Sequence, residues 1–227
     1  MSADHTPTQS KIETVHRRLI EAYGEPAREN PLPPLDQLVN TILSQNTNDV
    51  NRDRAFQQLR ARFSTWEAVR DAPTDAVIEA IRTAGLANQK GPRIQGALRR
   101  ITEERGALSL DFLADMPLEA AREWLTDIKG VGPKTAAIVL LFSMDRPAFP
   151  VDTHVHRVSR RLGLIEEGVS AAKAHELLEA RVPPEWYYSF HLNVIRHGRQ
   201  ICHARKPQCE DCVLNDRCDD YRQQVQG

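Results

Sequence analysis

The sequence predicts an all-helical protein, and three observations carry that prediction. No segment sustains the period-two alternation of a half-buried strand. No Asn-Gly or Asp-Gly pair joins two apolar runs as a hairpin would. Apolar residues recur instead at helical spacing, in runs closed by glycine or proline. With 227 residues, 41% of them hydrophobic, the chain is long enough to bury one large core or two modest ones.

The first ten residues lack a basic region followed by an apolar core, so they read as a frayed tail and not as a secretion signal. Over residues 11–23, Ile12, Val15, Leu19 and Ile20 share one helical face, and Gly24 ends the run. Residues 25–34, rich in proline and charge, read as a connector between domains. Leu35, Leu38, Val39, Ile42 and Leu43 then follow the spacing of an amphipathic helix, whose end delivers the polar cluster Ser44-Gln45-Asn46-Thr47-Asn48-Asp49. Taken alone, that cluster is an ordinary polar cap. Helices are predicted over 50–63 and 75–83, the second closed by Gly85 as a left-handed cap with Leu86 directly behind it. An apolar residue there ordinarily tucks onto its own helix. Further helices are predicted over 93–105, 118–127, 134–143, 153–162, 170–180 and 185–197.

Between two of these helices the chain reads Ile-Lys-Gly-Val-Gly-Pro-Lys-Thr-Ala, from Ile128 to Ala136. Gly130 and Gly132 are read as permitting positive φ and close backbone approach by another molecule, and Pro133 suits a first helical position. Residues 136–142 are apolar on every side, so that helix should be buried and its N-terminal end held rigidly. Amide groups at a helix N-terminus make an anion site, phosphate first among candidates, with Lys134 in the first turn. Asp152, ahead of Thr153-His154, is a good N-cap for the helix that follows.

A formal net charge of -1 excludes a generally basic, DNA-coating protein, so contact with nucleic acid would need a local patch. Residues 190–206 offer one, with Arg196, Arg199, Arg205 and Lys206, no acid, and His191, His197 and His203. No apolar run approaches the roughly 20 residues that span a bilayer. All four cysteines lie near the end of the sequence as Cys202-x6-Cys209-x2-Cys212-x5-Cys218. A cluster so compact points to a metal centre, because reducing compartments disfavour two disulfides; thiolate spacing alone leaves tetrahedral zinc open.

Gly-Val-Gly-Pro-Lys-Thr-Ala, with Val-Asp-Thr-His following, resembles the helix-hairpin-helix and catalytic Asp loop of the DNA glycosylase superfamily. With the cysteine spacing added, the chain resembles the endonuclease III family, iron-sulfur glycosylases and AP lyases that remove damaged pyrimidines from duplex DNA. The resemblance covers essentially everything beyond the tail. It implies a two-domain fold, with residues 27–146 forming a six-helix domain, and residues 1–26 packing with a cluster domain of residues 147–227. DNA would lie in the groove between the domains. It implies a [4Fe–4S] cluster held by Cys202, Cys209, Cys212 and Cys218. Lys134 would be the nucleophile at C1′ and the source of a Schiff base, and Asp152 would stabilise the developing sugar cation and assist proton transfer. A glutamine of the family that meets the orphaned base corresponds here to Asn46, preceded by Gln45, a departure that leaves both amides as candidates. Leu86 would be a second wedge in the opened stack. Gly130, Gly132, Arg205 and Lys206 would meet backbone phosphate.

The expected partner is double-stranded DNA carrying damaged bases or abasic sites, met by a monomer in the cytoplasm, associated with the nucleoid and not with a membrane. The expected reaction is removal of oxidised pyrimidines followed by β-elimination 3′ to the abasic site. Two rivals stand beside it. A monofunctional mismatch glycosylase for adenine, thymine or uracil is disfavoured by Lys134 and, for adenine, by Thr41 where that enzyme carries an acid. A non-catalytic helix-hairpin-helix module would use the turn for phosphate alone.

Overall fold

The computed structural model describes residues 9–28 and 30–226, so the expectation for the tail falls mostly outside it. Every regular element among the described residues is helical. Asn30–Arg146 forms one compact unit, and the described residues on either side of it in the sequence form the other.

The central unit is built on α2 (Pro34–Ser44), which buries the five residues its periodicity singles out, together with Thr41. Against it pack α3 (Asp49–Arg62), α6 (Ala87–Arg105), α8 (Pro133–Ile138) and the π-helical turns Val139–Ser143 that continue α8. Thr135, Ala136, Ala137, Val139, Leu140 and Leu141 are buried there, as an all-round apolar run requires. Between α3 and α6 lie α4 (Trp66–Asp71) and α5 (Thr74–Ala80). The short α4 has too few turns to show a period; Thr65 caps it, and Trp66 Nε1 donates to Asp36 Oδ1 at 2.6 Å.

Two expectations need correction. The helix predicted from residue 93 begins at Ala87, with Pro92 inside it. Proline reads as a helix start, but here the chain has already turned at Leu86, whose carbonyl accepts from Gln89 N–H at 2.9 Å and Lys90 N–H at 3.0 Å. Gly85 closes the 3-10 turn Arg82–Ala84 at a positive φ of 65°, as expected of a glycine there, but its ψ of 159° departs from the left-handed helical value, and Leu86 takes that conformation instead at φ 50°, ψ 30°. The long connection before α7 (Leu118–Thr126) is ordered by its aromatics. Phe112 sits edge-on to Trp124 at 4.9 Å, Arg105 covers Phe112 at 3.8 Å, and Arg146 donates to the carbonyls of Leu113 and Met116.

The other unit comprises α1 (Gln9–Tyr23), α9 (Thr153–Arg161), α10 (Ala171–Arg181), α11 (Tyr187–Gln200) and α12 (Asp219–Gln226). Its core gathers Ile12, Val15 and Leu19 with Phe149, Tyr187, Phe190 and Val194. Polar ties join the first helix to the last segments: Lys11 Nζ donates to Asp219 at 2.8 Å, Arg18 pairs with Asp216, and Asn193 Nδ2 donates to Gly24 O at 3.0 Å. The basic stretch shrinks accordingly. His191 and His197 are 2% and 1% exposed and belong to the core. They sit at i and i+6 beside Phe190, Val194 and Gly198, the inward face of α11. Arg196 stacks on Tyr23 at 5.1 Å and donates to its carbonyl.

Candidate active site and metal centre

In the central unit, α7 and α8 form the hairpin. Gly130 takes φ 92°, the left-handed side that favours glycine, and a Cβ there would stand 2.8 Å from Arg93 Cδ. Gly132 differs from expectation: it is extended at φ -100°, ψ 179°, because it serves as the N-cap of α8. It offers no side chain to satisfy the first amides of that helix, and a Cβ built on it meets nothing within 4 Å. The open space, and not a positive φ, is what permits close approach. Lys134 follows at the second helical position, half-buried, on a helix whose next three residues are buried or nearly so.

The polar loop after α2 resolves its two amides into different tasks. Gln45 Nε2 donates to the carbonyl of Gly130 at 3.0 Å, and Arg93 Nη1 lies 3.5 Å from Gln45 Oε1. The Gln45 side chain is thus spent on the hairpin turn. Asn46 is exposed and left-handed at φ 52°, a conformation asparagine tolerates. Leu86 is 47% exposed rather than tucked onto its helix, and left-handed as well. Both candidate intruding residues therefore sit at left-handed turns, and for Leu86 that conformation is a strain of the kind concentrated at functional sites. Sequence reading missed Lys90, which lies beneath them with 1% exposure. The signal was available: Lys90 falls on the apolar stripe of Ala87, Ile94, Ala97 and Ile101.

In the other unit, Asp152 is the N-cap of α9. Its Oδ1 accepts from the amides of His154 and Val155, both at 2.8 Å. Burial lowers His154 below the usual imidazole value, with Asp152 opposing and Arg157 adding to the fall.

The four cysteines line one cavity in this unit. Among the described residues no three of His, Cys, Asp or Glu close on a single ion. Donors are aimed at the sulfurs: Arg161 Nη1 lies 3.3 Å from Cys202 Sγ, His197 Nε2 3.4 Å from Cys212 Sγ, and Leu214 N–H 3.4 Å from the same sulfur. Burial pushes the Cys212 thiol up to about 11 and raises Cys209 and Cys218. As thiolates these half-buried sulfurs would be stabilised by a cationic centre. His197 is held from behind by the Tyr23 hydroxyl at 2.9 Å, and its own burial brings it down to about 4, so it stays neutral.

The loop between the first two cysteines exposes Arg205 and Lys206, the latter at φ 51°. Arg161 supports it by donating to the carbonyls of His203 at 2.7 Å and Ala204 at 3.2 Å, while Arg157 donates to Cys202 O at 3.1 Å.

The hairpin on an all-helical scaffold defines the class. Residues 39–184 match the family described as HhH-GPD superfamily base excision DNA repair protein, and residues 202–218 match the iron-sulfur binding domain of endonuclease III. Endonuclease III of Thermotoga maritima is 32% identical over 216 residues, covering 95% of this chain and 96% of that one. Endonuclease III of Sulfolobus acidocaldarius is 34% identical over 192 residues, covering 84% and 83%. A provisionally named DNA glycosylase of Arabidopsis thaliana is 37% identical over 172 residues, and the match spans 59% of that longer protein. Among solved structures, an endonuclease III in a non-covalent complex with DNA superposes with a TM-score of 0.82 at 26% identity, covering 97% of this chain and 99% of that one. The chain belongs to the endonuclease III family and is an endonuclease III-like DNA glycosylase of base excision repair. Among the described residues no helix is long and apolar enough to cross a membrane.

Proposed function

We propose that this protein is a bifunctional DNA glycosylase and AP lyase acting on oxidised pyrimidines in double-stranded DNA. The observation that carries the lyase half is Lys134, an amine in the first turn of α8 immediately behind the Gly130–Gly132 turn. Lys134 Nζ attacks C1′ of the extruded nucleotide as the bond from C1′ to the base breaks, the C1′–O4′ bond then opens with loss of the amine proton to give a Schiff base, and that Schiff base permits loss of a C2′ proton and departure of the 3′ phosphate. Asp152, its Oδ1 fixed by two amides, stabilises the positive charge that develops on the sugar and assists proton transfer. Asn46 and Leu86 occupy the space left in the stack, while Gly132 and the Arg205–Lys206 loop meet backbone phosphate.

Cys202, Cys209, Cys212 and Cys218 hold a [4Fe–4S] cluster whose contribution is structural: it pins both ends of the Arg205–Lys206 loop. Purified protein should contain iron and acid-labile sulfide in equal amounts and no zinc.

The deciding experiment is borohydride trapping on duplexes carrying thymine glycol or an abasic site. Borohydride reduces a Schiff base to a stable adduct, so the wild-type chain should give a covalent complex that Lys134→Ala does not. Base release revealed only by alkali, with no adduct, would move the protein to the monofunctional branch. Weakened binding by Lys134→Ala, with no reaction on any damaged duplex, would refute catalysis.

A further inference from the structure

We propose that Lys90 is a positioning residue that holds the two duplex-entering loops, one carrying Asn46 and one carrying Leu86, through a single buried ammonium. The inference rests on the reading that those loops enter DNA. Lys90 is among the largest fully buried side chains of the described residues and is the charged one of that group. Its Nζ donates to Leu43 O at 2.7 Å and to Ala84 O at 2.8 Å. Leu43 lies in the last turn of α2, three residues ahead of Asn46. Ala84 ends the 3-10 turn Arg82–Ala84, two residues ahead of Leu86.

Both acceptors sit at helix ends, where carbonyls lack partners within the helix and the dipole favours a cation. The position argues for a purpose beyond packing. Lys90 occupies an apolar stripe where leucine or methionine would bury without desolvating a charge, and an ammonium buried without a carboxylate is a costly choice. What the charge secures is the base of two loops whose tips are both left-handed, at φ 52° for Asn46 and φ 50° for Leu86. Gln45 adds a third tie from the first loop to Gly130. Burial is the cause that brings Lys90 down to about 8.

The test uses the intact, cluster-loaded chain and a duplex with 2-aminopurine beside a tetrahydrofuran abasic analogue, in which fluorescence rises when side chains open the stack. Lys90→Met keeps length and bulk but donates nothing. It should reduce the rise by roughly fivefold, as Leu86→Ala should too, while affinity for a single-stranded abasic oligonucleotide, which has no stack to open, stays within about twofold. A full rise with Lys90→Met, or no rise with the wild type, overturns the proposal. Should Lys90→Met lose its helical circular dichroism, the wild-type pH profile decides. The rise should diminish between about pH 7 and pH 9.5 as charge-assisted bonds become neutral ones, and a flat profile overturns the proposal. A wild-type chain that opens the stack but yields no borohydride adduct removes the lyase reading and leaves this one standing.

Discussion

Replacing Asp152 separates two tasks that one carboxylate performs. Its Oδ1 accepts both the His154 and the Val155 amide at 2.8 Å, so the side chain caps α9. Asparagine caps a helix about as well as aspartate. Asp152→Asn therefore loses only the attraction between a negative charge and a helix N-terminus, worth about 0.3–1 kcal/mol. Asp152→Ala loses the cap itself, about 0.5–2 kcal/mol. For a chain of this size each kcal/mol lowers Tm by about 2–4 °C, so thermal denaturation distinguishes the two variants. Turnover behaves differently, because the charge and the proton acceptor vanish in both. Each should excise thymine glycol about 10²–10⁴-fold more slowly in single-turnover assays, the range ordinary for a general acid–base group. His154 provides an internal control: Asp152 is the charge that raises it against burial, so its titration by NMR should move further down in Asp152→Asn. An asparagine variant that excises within about threefold of wild type would refute the catalytic assignment and leave Asp152 as a cap.

The loop amides should divide in the same manner. Asn46→Gly, which keeps the left-handed backbone, should lose duplex opening at nearly unchanged Tm, whereas Gln45→Ala should cost about 0.5–1.5 kcal/mol, because the part-buried Gly130 carbonyl loses its donor. The hairpin glycines make a second pair: Gly130→Ala forces a Cβ to within 2.8 Å of Arg93 Cδ at φ 92° and should lower Tm, while Gly132→Ala should fold normally and bind duplex DNA more weakly, as read by fluorescence anisotropy. Lys90 gives stability a defined pH dependence. Its folded value, about 8, lies below its unfolded value of 10.5, so its contribution is present above 10.5 and is lost as pH falls through 8. Relative to Lys90→Met, wild-type stability should rise across that window by roughly 3 kcal/mol in chemical denaturation.

The elements legible in the sequence were those whose physics is local and repeated. Leu35, Leu38, Val39, Ile42 and Leu43 announced α2 because each buries the same face at 3.6-residue spacing. Pro133 announced the start of α8, and Asp152 the start of α9, because capping depends on one or two residues at a known offset. The cysteines were legible as a metal site from their spacing, and the loop between them as a basic projection. Local rules also explain the misreadings. Pro92 marks a helix start under any local reading, and only the turn at Leu86 shows that the helix had already begun. The basic run at 190–206 counted His191 and His197 by charge, yet the period of α11 turns both inward.

What the sequence concealed is a set of polar groups buried for reasons that lie far along the chain. Lys90 reaches a carbonyl 47 residues away, Gln45 one 85 residues away, and His197 a hydroxyl 174 residues away. No window of local pattern contains both partners of such a bond, so each residue reads as a misplaced polar group or a surface charge. The misfit is nonetheless informative. A lysine on an apolar stripe and a histidine on an inward face violate the pattern around them, and burying them without partners would cost more than a typical mutation removes. Each violation therefore requires a compensating acceptor or donor elsewhere in the fold. In this protein the compensating partners lie at the parts the proposed function uses: Lys90 at the bases of the Asn46 and Leu86 loops, Gln45 at the hairpin turn, and His197 at a cysteine of the proposed cluster site. Residues that break the local pattern, more than those that obey it, mark where the scaffold has been shaped for its chemistry.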